Sequence, residues 1–291
     1  MSHPRIVVGV DESRESAVAA RWAACEARCR DAPLHLLHAW AWSPDPPTGT
    51  TGGTGQRQRA ARAVAAAAER LVDVVPAGYA TTRTVQGPAT SALLKAAEGA
   101  GMLVLGSRGL GAVAGVLVGS VAAAVTARAS CPVVLVKDGA DVAGHAVDSH
   151  DVVLGLDLGD PCDDVMDFAF EAARIHRAHL HVVSAWPRSD PLTVGPGEVA
   201  LIEGSRQARE WDGFQEAVLR AWRDKYPDVD VRRTLTDGRP QSALLSAASG
   251  AGIVVVGRRR RHEPYIGRRT GPVAHAVLQH ALCPVAVVPH D

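Results

Sequence analysis

The chain has 291 residues, 47% hydrophobic and 21% charged, which is a globular rather than a disordered composition. Lys plus Arg and Asp plus Glu number 31 each, so the formal net charge is zero, and no net basic field favours nucleic acid or a membrane surface. No apolar run approaches the ~18 residues of a membrane span, Met1 to Arg5 show no signal-peptide core, and the five cysteines lack CxxC spacing. These features predict a reduced, cytoplasmic protein without a zinc site.

In chain order, the first strand runs over 5–10 and is closed by Asp11. Ser13 is placed to N-cap a helix on which Arg14, Arg21 and Arg28 share one polar face. Cys25 and Cys29 lie four apart on that helix and read as buried thiols. A second strand at 34–40 leads into a loop, Pro44 to Gly55, followed by an alanine-rich helix, Arg57 to Val75. Strands at 81–86, 102–106 and 132–137 alternate with helices at Pro88 to Glu98 and Ser120 to Ala129. Apolar strands alternating with helices predict an α/β fold whose parallel sheet is covered on both faces.

The pattern then repeats. Arg5 to Asp11 (RIVVGVD) matches Asp151 to Asp157 (DVVLGLD), LHLLHAW at 34–40 matches LHVVSAW at 180–186, GMLVLG at 101–106 matches GIVVVG at 252–257, and CPVVLV at 131–136 matches CPVAVV at 283–288. Matches in the same order, offset by half the chain, indicate a duplicated domain. The expected units are residues 1–138 and 150–291, joined by the small polar stretch 138–150, with a second loop at Pro187 to Gly197.

The segment that carries chemistry is Gly106-Ser107-Arg108-Gly109, nine residues, then Gly119-Ser120. It follows a strand and opens a helix. Glycines admit phosphate oxygens to backbone N–H groups, and a helix start adds unpaired donors. The sequence lacks GK[ST] and has an acid, Asp11, where a dinucleotide fingerprint would place glycines. A carboxylate at a strand end suits ribose hydroxyls. Alternatively, Asp11 caps the following helix and the glycines only make turns. His35, His38, His179 and His181 lie on strands without metal-ligand spacing and read as hydrogen-bonded strand residues.

The Gly-x2-Gly-x9-Gly-Ser pattern at 106–120, with Asp11 and the duplication, resembles the ATP-binding branch of the universal stress protein family over nearly the whole chain. The resemblance implies two tandem doubly wound domains, each a five-stranded parallel sheet in the order 3-2-1-4-5 with helices on both faces. It implies ribose on Asp11, adenine facing the backbone near Ala39, and phosphates at Gly106, Arg108, Gly109, Gly119, Ser120 and Val121, with Gly9, Val10 and Leu105 lining the pocket. ATP is the implied ligand, with Mg through its phosphates. The implied partners are a second chain in a homodimer and a regulatory protein, with neither nucleic acid nor membrane. No catalytic base is evident, so a nucleotide-dependent stress-response regulator is expected, with at most slow hydrolysis. An adenylyl-transferring or flavin enzyme and a scaffold that binds no nucleotide stay open as rivals.

The second copy departs from the motif. Arg260 stands for the second glycine, the spacing is one residue longer, and Pro272 replaces the serine, removing a hydroxyl and an N–H. It is expected to bind ATP weakly or not at all, with the arginines at 258–261 and 268–269 a solvated loop or an anion site. In the implied order each last strand is an apolar edge, and the two are expected to pair with each other.

Overall fold

The computed structural model describes residues 4–40, 52–107, 118–138, 151–186, 198–260 and 270–291. The linker and most of the two expected loops fall outside the described residues, as do Arg108, Gly109, Arg261, Arg268 and Arg269. The first half runs β1 (Ile6–Gly9), α1 (Arg14–Arg30), β2 (Leu34–Trp40), α2 (Gly52–Glu69), β3 (Ala80–Gln86), α3 (Ala89–Ala97), β4 (Met102–Ser107), α4 (Ser120–Thr126) and β5 (Val133–Lys137). The second repeats it: β6 (Val152–Gly155), α5 (Asp163–His176), β7 (Leu180–Trp186), α6 (Glu198–Lys225), β8 (Val231–Asp237), α7 (Pro240–Ala247), β9 (Ile253–Arg259), α8 (Pro272–His280) and β10 (Val285–His290).

Within each half every pairing is parallel, β3-β2-β1-β4-β5 and β8-β7-β6-β9-β10. This is a tandem α/β fold with the order 3-2-1-4-5 twice. Alternate residues of each strand feed two cores. Ile6, Val8 and Val104 pack with α1, α2, α5 and α6 on one face, and Val7, Leu103 and Leu105 with α3, α4, α7 and α8 on the other. Both cores run through the two halves, because β5 and β10 pair antiparallel with Val134 opposite Ala286 and join all ten strands into one sheet. The apolar edges expected to pair are therefore consumed within the chain, and a contact between chains has to use another surface. The outer strands, β3 and β8, carry Arg83, Arg232 and Arg233, charges that discourage edge-to-edge association.

Local signals set most boundaries. Ser13 N-caps α1, its hydroxyl accepting from the Ser16 N–H at 3.1 Å. The α2 helix differs from expectation at both ends: it begins at Gly52 and stops at Glu69, not Val75. Over 70–75 the bonds Leu71 N–H to Ala68 O and Val74 N–H to Leu71 O tighten to the three-residue pattern, as Pro76 and the β-branched Val72, Val74 and Val75 disfavour another helical turn. Arg21 and Arg28 hold this turn to α1, through Asp73 at 2.6 Å and the Val74 carbonyl at 2.9 Å.

The cysteine expectation holds only in part. Cys131 and Cys283 are buried, and burial pushes both thiols up to about 11. Cys25 is half-buried, however, and Cys29 is exposed. A four-residue step advances the helix by more than a full turn, enough to carry Cys29 beyond the buried stripe.

The halves also exchange helix caps. Buried Lys137, at the end of β5, donates to the Gln279 and Ala281 carbonyls at the C-terminus of α8, at 3.0 and 2.6 Å. In the other direction Arg258 on β9 donates to Ala129 O, just past α4, at 2.5 Å. A cation beside unpaired C-terminal carbonyls is the favourable arrangement. Lys137→Met removes two charge-assisted bonds and leaves both carbonyls without this donor, so a loss of about 2–3 kcal/mol is expected. Chemical denaturation measures it, and a loss below about 0.5 kcal/mol would show that the cap contributes little.

Candidate functional site

At the carboxyl ends of β1 and β4, where the strand order reverses, lies a cleft of about 350 Å³. Ligand sites in open α/β sheets form at such a position. Gly9, Val10, Asp11, Ala39, Leu105, Gly106, Gly119, Ser120 and Val121 all line it. Residues 96 apart in sequence meet because β1 and β4 are neighbours, with Gly9 paired to Leu105. Ser13, Glu15, Ser16, Leu37, Ala89, Leu93 and Ala122 complete the described walls. The hydroxyls of Ser13 and Ser16 were not expected there, because the sequence presents them only as the start of a helix.

Asp11 stands at the mouth. Its Oδ1 accepts from the Ser13 hydroxyl at 2.5 Å and the Ser13 N–H at 3.2 Å. Burial works against its charge, but these bonds, Ser16 and the charge of His38 outweigh it and hold the carboxyl below its ordinary value. Asp11 is thus an ionised acceptor that also steadies the entry to α1, the capping role its sequence position allowed. Glu12, at φ 65, makes the sharp turn between them in the left-handed region that non-glycine residues seldom enter. His38 donates from Nδ1 to Val10 O at 2.8 Å and so supports the strand end. His179 pairs with Asp230 at 2.9 Å and His181 with Thr234 at 2.8 Å. Among the described residues no group of His, Cys, Asp and Glu is arranged to hold a metal ion.

The glycines divide by physical role. A Cβ on Gly106 would meet the Glu15 carbonyl carbon at 2.5 Å and the Ser16 nitrogen at 2.7 Å, so Gly106 lets the first turn of α1 pack onto β4. Among the described residues a Cβ on Gly119 would meet no atom within 4 Å, and its φ of −58 suits any residue. Among the described residues neither packing nor backbone requires glycine at 119, and its missing side chain leaves open approach to the N–H groups of the first turn of α4. Ser120, exposed at the first position of that helix, adds a hydroxyl. Arg108 and Gly109 lie outside the described residues, so their part in the cleft is not described.

Fold and cleft together define a tandem doubly wound α/β protein with a cleft at its topological switch point. The sequence model of the universal stress protein family matches residues 3–137 and again 149–289, and the chain belongs to that family as a tandem member. It is similar to a universal stress protein of Mycolicibacterium smegmatis, 35% identical over 295 residues covering 97% of this chain and 96% of that one. It is also similar to a universal stress protein of Mycobacterium tuberculosis, 33% identical over 300 residues and 99% of each chain. Among solved structures, a universal stress protein of Archaeoglobus fulgidus shares the fold with a TM-score of 0.67 at 15% identity, covering 99% of this chain and 98% of that one. No helix among the described residues is long and apolar enough to cross a membrane.

Proposed function

We propose that the cleft of the first half binds ATP and that the protein is a nucleotide-dependent regulator of the stress response in the cytoplasm, not a turnover enzyme. The observation that carries this reading is the pairing, within one cleft, of an ionised carboxylate at a strand end with a glycine-fronted helix start. The carboxylate suits ribose hydroxyls and would repel phosphates. The N–H groups at Gly119, Ser120 and Val121 suit phosphate oxygens. Adenine would lie by Ala39, between Leu37 and Leu93, and Mg would ride on the phosphates, because the described walls offer no metal cluster of their own.

Two measurements test this. Nucleotide extracted from purified protein and identified by mass is expected to be ATP or ADP; FAD, or an empty protein that fails to take up ATP, contradicts the reading. Calorimetric titration is expected to give one ATP per chain, with Asp11→Ala weakening ATP roughly tenfold, about the worth of a hydrogen bond to a charged group, while leaving inorganic triphosphate unaffected. Equal losses for both ligands would remove Asp11 from the ribose.

A further inference from the structure

The α1 helix carries two cysteines that take no part in the cleft. Cys25 and Cys29 stand four residues apart, which places their side chains beside each other along the helix. Both thiols are free. Cys25 is half-buried and packs against the core, and Cys29 is exposed. The charged groups around them are already engaged. Arg21 pairs with Asp73 at 2.6 Å and Arg28 donates to the Val74 carbonyl at 2.9 Å, in the turn after α2. Glu26 is held by Arg30 and His176. Burial acts most strongly on both thiols and, against the nearby arginines, pushes both above the ordinary thiol value. At neutral pH the pair is therefore protonated and uncharged.

The pair occurs once in the chain. On α5 the duplication puts Glu171 and Ile175 where α1 has Cys25 and Cys29. Cys131, Cys162 and Cys283 precede β5, α5 and β10, each on its own.

Side chains four apart on a helix have Cβ atoms about 5–6 Å apart, whereas a disulfide wants about 3.5–4.5 Å. A bridge one atom longer, sulfur to a soft centre to sulfur, suits this spacing without unwinding the helix. Among the described residues no three His, Cys, Asp or Glu gather as a tetrahedral metal site requires, so the centre has to be satisfied by two thiols. A trivalent arsenic that bears one organic group meets that condition, since carbon fills its third bond. Thiol ligands select soft centres, and the product carries no charge, as a half-buried position favours.

We propose that Cys25 and Cys29 form a dithiol site for mono-organic trivalent arsenicals, R–As(OH)2. Two As–S bonds form, two As–O and two S–H bonds break, and two waters leave; arsenic stays trivalent and no electron is transferred. The site does not depend on what the cleft binds.

The test is titration of the reduced, folded full chain with phenylarsine oxide, the dehydrated form of such an arsenical, followed by intact mass and by counting the thiols that remain reactive. One adduct per chain that consumes two thiols is expected at micromolar concentration. Cys25→Ser and Cys29→Ser are each expected to weaken it about a hundredfold or more, because the second thiol reacts intramolecularly, while Cys162→Ser leaves it unchanged. Arsenite, whose third bond is to oxygen and open to a further thiol, is expected to bind at least tenfold more weakly. Only water is released, so affinity for phenylarsine oxide should stay level between pH 6 and 8; a cation held by two thiolates would displace two protons and gain about a hundredfold per pH unit. Because Cys29 is exposed, its variant should keep the natural melting curve and so separates loss of the site from loss of the fold. The proposal is overturned if no adduct forms on the folded chain, if the adduct survives Cys29→Ser, if it is lost in Cys162→Ser, or if arsenite binds as tightly.

Discussion

Glu26→Ala is expected to destabilise the protein by about 3–5 kcal/mol, the cost of removing one partner from a buried ion cluster. Glu26 is 2% exposed on α1. Its carboxylate receives Arg30 Nε from its own helix at 2.5 Å and His176 Nε2 from α5 of the other half at 2.8 Å. Glu171, also on α5, lies 3.5 Å from Arg30, whose guanidinium sits 5.6 Å from the centre of the Phe168 ring. The cluster thus bridges the halves on one face of the sheet while Lys137 and Arg258 bridge them on the other. Replacing Glu26, Arg30 and His176 together by Leu, Met and Leu should recover most of the loss, since apolar residues of similar size leave no charge unpaired. Denaturant melts of the single and triple variants decide this; a triple variant no more stable than Glu26→Ala would show that specific geometry, not charge compensation, is at stake.

The same cluster sets an acid dependence. Burial favours the neutral form of Glu26, but Arg30 and His176 more than offset it, and the folded carboxyl lies far below its ordinary range. A carboxyl with a depressed folded pKa stabilises the folded state above its unfolded value of about 4.3, and that contribution declines as pH falls below it. Stability of the natural protein should therefore fall more steeply between pH 5 and 3 than that of Glu26→Gln. Parallel curves would mean that Glu26 does not control the acid response.

Ser120→Pro is expected to lower ATP affinity by about tenfold to a hundredfold with the fold intact, because it removes a hydroxyl and an N–H from a site for a charged ligand. The protein contains its own control. Pro272 occupies the corresponding first position of α8, behind Gly271 at φ −59 and ψ 164, and Gly119 before α4 has nearly the same backbone, φ −58 and ψ 150. Proline suits the first helical position, so the substitution should cost little stability. Gly119→Val serves as a companion, since no atom of the described residues lies within 4 Å of where its Cβ would stand. Calorimetry against thermal melting separates the two effects. Unchanged affinity in both variants would place the phosphates elsewhere.

Much of this was legible in the chain. Runs such as IVVGV and CPVVLV are apolar at both alternate sets of positions, as a strand buried on both faces requires, and their repetition in order betrayed the duplication. Asp11 and Gly119-Ser120 could be placed beside one cleft because a doubly wound sheet brings the ends of its first and fourth strands together. The ends of α2 were less legible, because alanine-rich sequence continues to favour helix until Pro76 and the valines before it take effect. Cys29 was misplaced because a four-residue spacing keeps two residues near one face without saying where the buried stripe ends.

Sequence by itself determined the strand and helix alternation, the two copies, the family and the loss of the phosphate motif in the second copy, since each rests on local periodicity or motif chemistry. The apolar last strands also pointed to the β5–β10 pairing, whereas tertiary structure alone decided which side chains meet across the join. Glu26 and Arg30 stand four residues apart on one helix, and nothing local announces that His176, 150 residues away, covers Glu26. It also separated Gly106, which yields room to a helix, from Gly119, which yields room to solvent or ligand, and it moved Arg258 from a solvated arginine run into the interior. Burial and charge compensation are sums over neighbours in space, and those neighbours are fixed only when β5 meets β10.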